Sequence, residues 1–395
     1  MNEIQRLIHE MCPDGVPMVA LGEICEIRGR IGFRGYTRAD QVAEGEGALS
    51  LSPGNITNGV MDYSKGSFIT WKKYEESPEI ITNNGDIIFC KTASCGKVAI
   101  VKNLPYKATI NPQLVVLKNV ACPVPYLYYY LSSNSIQECV KKLQGVGSVP
   151  NISQATLSSF QIPFPPLTIQ QRIVDILDKF TSLVSSLDSE IALRQKQYEY
   201  YRDKLLSFEE GEEGVEWKKL RDVCNVINGR AYKQSELLEK GPYRVLRVGN
   251  FFSNDSWYYS DLELDSKYYC FNGDLLYAWS ASFGPHIWRE EKVIYHYHIW
   301  KLECQEPLEK KFMFYWLQSD NMTSQVSSEK HGATMAHLTK AMMEDLILPI
   351  PSLDKQLSIV RTLDTFESLL TNLKKERELR QKQYEYYREK LLTFA

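Results

Sequence analysis

A chain of 395 residues is longer than one hydrophobic core usually serves, so two or more domains are expected. With 44% hydrophobic and 24% charged residues it has an ordinary soluble composition, and a formal charge of −3 excludes a generally basic, non-specific nucleic-acid coat. No run is long and apolar enough for a membrane span, Glu3, Arg6 and Glu10 interrupt any secretory leader, and nine scattered cysteines read as reduced thiols, so a cytoplasmic location is expected.

Residues 1–165 form the first expected globular domain. Segments 60–71, 86–93 and 97–101 read as strands and turns, and 124–144 as a helix ending near Gly145. RGRIGFRGYTR (28–38) sets Arg28, Arg30, Arg34 and Arg38 among glycines with no acid. Arginine offers a bidentate fork to guanine or phosphate, and Tyr36 can stack, so this stretch reads as a DNA contact or as a solvated loop. Lys65, Lys72, Lys73 and Lys91 are further candidates, chiefly for phosphates.

Residues 166–210 read as one long helix. The prolines of IPFPP hold the chain extended, and Thr168 with Gln171 suggests a capping box. Leu177, Phe180, Val184, Leu187, Ile191, Arg194, Tyr198, Tyr201, Leu205 and Phe208 recur in steps of three and four, a seam along one side. The acidic, glycine-bearing FEEGEEGVEW (208–217) is a boundary.

A second globular domain is expected over 211–350, with strands and turns at 244–249, 274–281 and 292–302 and a helix over 308–326 ending near Gly332. Its contact candidates are Arg230, Tyr232 and Lys233 in NGRAYKQ, then Arg244, Arg247, Asn250 and Ser282. Residues 351–395 read as a second long helix, with Asp354 at its cap and a seam of Leu363, Phe366, Leu370, Leu373, Arg377, Arg380, Tyr384, Tyr387, Leu391 and Phe394.

The chain is internally duplicated. Residues 162–208 align with 348–394 without a gap, 27 of 47 positions are identical, and RQKQYEYYR starts at 194 and again at 380. The globular parts repeat more loosely: VPMVALGEICEI with VEWKKLRDVCNV, PGN with VGN, GDIIFCKTASCG with GDLLYAWSASFG. A helix of about 40 residues is roughly 60 Å long. Such a helix cannot bury its stripe alone, and the other tail carries the matching one. The expected fold is therefore α+β, with two pseudo-two-fold-related domains on two long antiparallel helices that pair as a coiled coil. Docking of each helix on its own domain, or dimerisation, is the alternative.

No catalytic constellation stands out. CGKVA lacks the phosphate-loop frame, and NPQL (111–114) lacks the second proline and the aromatic of the amino-methyltransferase loop. His296 and His298 share a face if their segment is a strand, but no third ligand has matching spacing, so no metal site is expected. The Cys12/Cys25 and Cys90/Cys95 spacings do not suit zinc either.

The duplicated tail with QKQYEYYR, the opening CPDGVPMVALGEICEI recurring as GVEWKKLRDVCNV, and the paired Gly-Asn and Gly-Asp turns resemble the DNA specificity subunit of Type I restriction–modification systems over essentially the whole chain. The resemblance implies a non-catalytic subunit whose two target recognition domains each read one half of a split, asymmetric DNA sequence. It implies helices that set the gap, and partnership with double-stranded DNA, two adenine-N6 methyltransferase subunits and motor-nuclease subunits. The chain itself then binds no cofactor: S-adenosylmethionine belongs to the methyltransferase, ATP and Mg to the motor-nuclease. A specificity subunit of a related non-Type I methylase or nuclease complex, or a coiled-coil scaffold that binds no DNA, is the alternative reading.

Overall fold

The computed structural model describes residues 3–30, 37–143, 151–252, 254–280, 283–328 and 338–394. It divides into two compact units, Met1–Ser186 with Glu376–Ala395, and Leu187–Lys375. Each unit thus combines one globular head with half of each long helix.

The first head contains two four-stranded sheets. One is antiparallel, in the order Glu26–Arg28, Leu114–Lys118, Ile87–Cys90, Val98–Ile100. The other runs Ala108–Ile110, Ala48–Leu51, Ser67–Ile69, Gln41–Val42, its first pair parallel. The central strands are buried throughout because both faces are covered, so they read as apolar runs rather than alternating patterns. The second head repeats this plan with Cys224–Asn228, Ile299–Cys304, Leu275–Ala278, Gly284–Ile287, and with Tyr258–Ser260, Tyr243–Leu246, Val293–Tyr295, Tyr269–Cys270. Its parallel pair is Tyr243–Leu246 with Val293–Tyr295. Each head is closed by a two-stranded ladder beside its long helix, Met18–Ala20 with Gln161–Pro163 and Val215–Lys219 with Ile347–Pro351.

The repeated short motifs are turn clasps. Gly85 and Gly273 take the left-handed conformation (φ 95° and 91°), and the next residue's carboxylate, Asp86 or Asp274, accepts the N–H of Asn83 or Phe271 at 2.8 and 2.9 Å. In the Gly-Asn turns, Asn55 accepts from Ser52 N–H (2.8 Å) and donates to Asp62 O (2.8 Å), while Asn250 accepts from Arg247 N–H (3.1 Å) and donates to Ser256 O (3.0 Å).

Several local expectations are corrected. Segment 124–144 contains two helices, Val124–Leu131 and Asn134–Leu143, and 308–326 likewise divides into Lys310–Trp316 and Asp320–Ser328. The cause is a serine at each break, Ser133 or Ser319, whose hydroxyl donates back to Tyr130 O or Trp316 O at 2.7 Å. Gly145 and Gly332 lie outside the described residues. Segment 60–71 holds strands Val60–Met61 and Ser67–Ile69 around a 3₁₀ turn, with a helix starting at Trp71. Segment 292–302 is two strands, Val293–Tyr295 and Ile299–Cys304, one in each sheet, so His296 and His298 occupy a turn and not one strand. The long helices span Leu167–Leu205 and Leu353–Leu392, which puts Thr168 and Asp354 inside the first turn. The capping box is replaced by a buried glutamine in each copy, Gln170 to Pro165 O (2.7 Å) and Gln356 to Pro351 O (2.9 Å).

The antiparallel sense of the helices follows from equivalent contacts within each unit. Phe180 stacks on Tyr387 at 5.2 Å and 17°, and Phe366 stacks on Tyr201 at 5.6 Å and 21°. The seam also grips the heads. Leu177, Tyr384, Leu391 and Leu392 share one core with Tyr126, Leu127 and Tyr129, while Tyr198, Leu206, Leu363 and Leu370 share another with Phe312, Met313 and Tyr315. Val184 is buried, and Leu187, Ile191, Leu205 and Leu373 are half-buried on the same stripe. Arg194 and Arg380 do not break the stripe, because each lies along its own helix against Glu190 or Glu376.

Polar contacts repeat the pattern. Tyr129 Oη donates to Asp178 (2.6 Å) and Tyr315 Oη to Asp364 (2.7 Å). Glu389, near the end of the second helix, accepts Asn134 N–H of the first head (2.9 Å), and Asp203 accepts Asp320 N–H of the second (3.1 Å). Each head's helix is therefore capped by the end of the tail that follows the other head in sequence.

Candidate nucleic-acid interface

In the first head the arginine stretch is only partly a surface. Arg28 is exposed but forked onto Glu26 at 2.6 and 3.1 Å. Arg30 corrects the expectation of a DNA contact: it is 6% exposed, and its Nε donates to Ile110 O (2.9 Å), so it ties the arginine stretch to the parallel strand. Arg34 and Tyr36 lie outside the described residues. Arg38 is exposed on a 3₁₀ turn beside Asp40, whose carboxyl is held low by the N–H and hydroxyl of Thr37 and then by neighbouring Lys73 and Lys72. Helix Trp71–Glu75 brings Lys72 and Lys73 to this corner, with Lys107 over the exposed Trp71 ring at 5.8 Å and Lys73 paired to Glu76. Arg38, Lys72, Lys73 and Lys107 thus make a cationic corner around an aromatic ring. Lys65 is paired with Asp62 (2.9 Å).

In the second head the candidates stack on aromatics. Arg244 lies over Trp257 (4.7 Å) and pairs with Glu290 and Glu291, and Arg247 lies over Tyr258 (4.2 Å). Arg230 lies over Tyr232 (5.0 Å) and is forked onto Glu236 at 2.9 and 2.8 Å, and that fork lowers the Glu236 carboxyl to about 2. Lys233 is exposed. Asn250 is also a correction, because its amide is spent inside its own turn, which leaves it no group for a base edge. Ser282 lies outside the described residues.

The sequence reading passed over one place that the structure singles out, the turn that carries the chain from one sheet to the other. In the first head it is Asn111-Pro112-Gln113, in the second His296-Tyr297-His298. Their backbones match bond for bond. Asn111 N–H donates to Leu51 O (2.8 Å) and Leu114 N–H to Asn111 O (3.1 Å), while His296 N–H donates to Leu246 O (2.9 Å) and Ile299 N–H to His296 O (2.9 Å). Lys91 N–H donates to Gln113 O (2.9 Å), and at the same place Trp279 N–H donates to His298 O (3.2 Å). Both motifs had been set aside, one as an incomplete methyltransferase loop and the other as an incomplete metal pair.

Burial, His298 and Arg247 together push His296 down to about 4, and burial lowers His286 and His298 as well. The folded state therefore binds these protons less readily than the unfolded chain. Their contribution to stability is present above the ordinary histidine value of about 6.5 and is lost as pH falls through about 4. Hydrogen exchange followed from pH 7 to pH 4 should show protection falling first in residues 211–350, and His296→Gln should flatten that dependence. Equal loss in both heads would show that these imidazoles do not set it.

The His296 and His298 rings lie 4.9 Å apart, but among the described residues no cluster of three or more His, Cys, Asp or Glu side chains could hold a metal ion. Among them, too, no helix is long and apolar enough to cross a membrane.

Comparison with known proteins places this geometry. The family model described as the Type I restriction modification DNA specificity domain matches twice, over residues 13–193 and 212–381. The specificity subunit of the EcoR124I/EcoR124II type I restriction enzyme of Escherichia coli is 30% identical over 292 residues, covering 68% of this chain and 70% of that protein. The MjaVIII specificity subunit of Methanocaldococcus jannaschii is 25% identical over 332 residues, 76% of each. Among solved structures, a chain from a study of complex assembly and conformational transition in the type I R-M system superposes with a TM-score of 0.63 at 19% identity, covering 96% of this chain and 97% of that one. The type I restriction–modification S subunit of M. genitalium superposes with a TM-score of 0.54 at 17% identity, covering 96% of each chain.

Proposed function

This chain belongs to the Type I restriction–modification DNA specificity family, and from that premise we propose how its parts divide the work. It is the non-catalytic subunit that recognises a bipartite DNA target and assembles with methyltransferase and motor-nuclease subunits. Residues 1–165 and 211–350 each read one half-site, and 166–210 with 351–395 set the gap between them. Two adenine-N6 methyltransferase subunits dock on the helices and bring S-adenosylmethionine, and the motor-nuclease brings ATP and Mg. The observation that carries this reading is the duplication: one sheet topology and one set of helix contacts occur twice, while the exposed side chains differ between copies. A shared scaffold with different surfaces suits an asymmetric target, since each good bidentate base contact is worth about 1–3 kcal/mol and depends on individual side chains.

Arg38, Lys72, Lys73 and Lys107 in the first head, and Lys233, Arg244 and Arg247 in the second, are assigned to phosphates. Such contacts fix the position of the duplex without reading it, and they suit a chain with no overall positive charge. The deciding experiment is a single-molecule methylome of the host with the gene present and deleted. Loss of adenine methylation at a split motif of fixed gap is expected on deletion. An unchanged methylome, with an active partner methyltransferase verified, would favour the scaffold reading.

A further inference from the structure

We propose that the inter-sheet turns, Asn111-Pro112-Gln113 in the first head and His296-Tyr297-His298 in the second, read bases, with Gln113 and His298 as the specificity-determining side chains. This rests on the DNA-recognition reading above and names the residues that carry it.

The first argument is the contrast between backbone and side chains. Elsewhere the duplicated turns keep both: the Gly-Asn and Gly-Asp turns repeat the same side chain making the same clasp. At the inter-sheet turn the backbone bonds repeat, but the side chains are unrelated in the two copies. A side chain required to hold its turn would be retained between copies, as Asn55 and Asn250 are. Here the backbone holds the turn and leaves the side chains free to differ.

The second argument is the supply of uncommitted polar atoms. The more obvious candidates are spent internally: Arg28 on Glu26, Arg230 on Glu236, Arg244 on Glu290 and Glu291, Asn250 in its own turn. Gln113 is half-buried, and its Oε1 accepts from Asn111 Nδ2 (3.1 Å), which orients the amide and leaves Nε2 without a partner among the described residues. The His298 ring is half-buried against Trp279 (5.1 Å) and Tyr297 (3.9 Å), and its two nitrogens have no hydrogen-bond partner among the described residues. Burial lowers its proton affinity, so at neutral pH it is a neutral imidazole with one donor and one acceptor. An amide and a neutral imidazole both discriminate donor and acceptor patterns on base edges, as a cation on a flexible stem does not.

The third argument is support. Trp279 Nε1 donates to Tyr297 O (2.9 Å), and Trp279 stacks on the buried Trp300 (5.6 Å, 19°), so the second turn stands on a rigid aromatic column. The loop carrying Arg230 is fastened to the same turn, Arg230 N–H to Tyr295 O and Tyr297 N–H to Arg230 O at 3.1 and 3.0 Å. In the first head, Lys91 occupies the place of Trp279 and presents a cation beside Gln113.

The test uses the full chain assembled with its methyltransferase subunits and a duplex library randomised across both half-sites. Gln113→Ala should lower discrimination by roughly 5- to 150-fold at one or two positions of one half-site, and His298→Ala by as much in the other, each leaving the second half-site unchanged. Where His298→Ala lowers thermal stability, His298→Gln keeps a polar side chain in the turn and should change the preferred base instead. Folded variants that keep the wild-type preference at every position would overturn the proposal while leaving the recognition reading intact. A wild-type complex with no sequence preference would overturn both.

Discussion

Deletion of residues 376–395 is expected to unfold the first head, which lies at the other end of the sequence, and to spare the second. Tyr384, Leu391 and Leu392 are each under 8% exposed and share a core with Ile169, Ile173, Leu177, Tyr126 and Tyr129. Burying one such side chain is worth about 1.5–3 kcal/mol, so losing three removes roughly 5–9 kcal/mol from a unit whose total stability is on the order of 5–15 kcal/mol. The deletion also removes Glu389, which caps the helix that begins at Asn134. Hydrogen exchange should show protection lost across 17–163 and retained across 215–351. Retention in both would mean that the tail merely rests on the first head. The single variant Tyr384→Ala should act in the same direction at about 3–5 kcal/mol, and the equivalent Tyr198→Ala should destabilise the second unit instead.

Trp300→Ala is expected to abolish recognition of the second half-site while the first is still bound. Trp300 is 2% exposed and stacks between Tyr277 (6.1 Å) and Trp279 (5.6 Å). Removing it leaves a cavity that costs about 3–5 kcal/mol, because the flanking strands Leu275–Ala278 and Ile299–Cys304 cannot collapse into the space without breaking their ladder. It also frees Trp279, which holds the Tyr297 carbonyl. The complex should then bind DNA through the first half-site alone, with its discrimination in the second lost by a factor of 10² or more, on the order of the 3 kcal/mol removed. Binding that retains full selectivity in both halves would show that the inter-sheet turn does not need this column.

How much could be seen in advance differs between the helices and the heads. The seam was legible because a helix repeats every 3.6 residues, and Leu177, Val184, Tyr198, Leu363, Leu370 and Tyr384 stand out against charged neighbours and are all buried. The capping box at Thr168 and Gln171 was not, because residues 163–166 continue from a strand and the helix begins one residue earlier, against the buried Gln170. The arginine stretch illustrates the limit more sharply. Its charge and glycines fit a DNA loop equally at Arg28, Arg30 and Arg38, and only the partner 80 residues away, Ile110 O, separates Arg30 from the others. The asparagine of the second Gly-Asn turn and the arginines paired to Glu236 and Glu290 were likewise unreadable, since their partners are brought to them by sheet pairing.

By itself, the sequence determined the duplication, the two long helices, their seam and the absence of a recognisable catalytic motif. These are properties of local order and periodicity, which survive in one dimension. Only the tertiary structure decided that each head is completed by the end of the other copy's tail, because that exchange depends on antiparallel packing and on caps made across more than 100 residues. It also decided which polar side chains are consumed inside the fold and which remain at the inter-sheet turns. A hydrogen bond satisfied within the protein is withdrawn from DNA, and that accounting is settled by three-dimensional contact rather than by residue type.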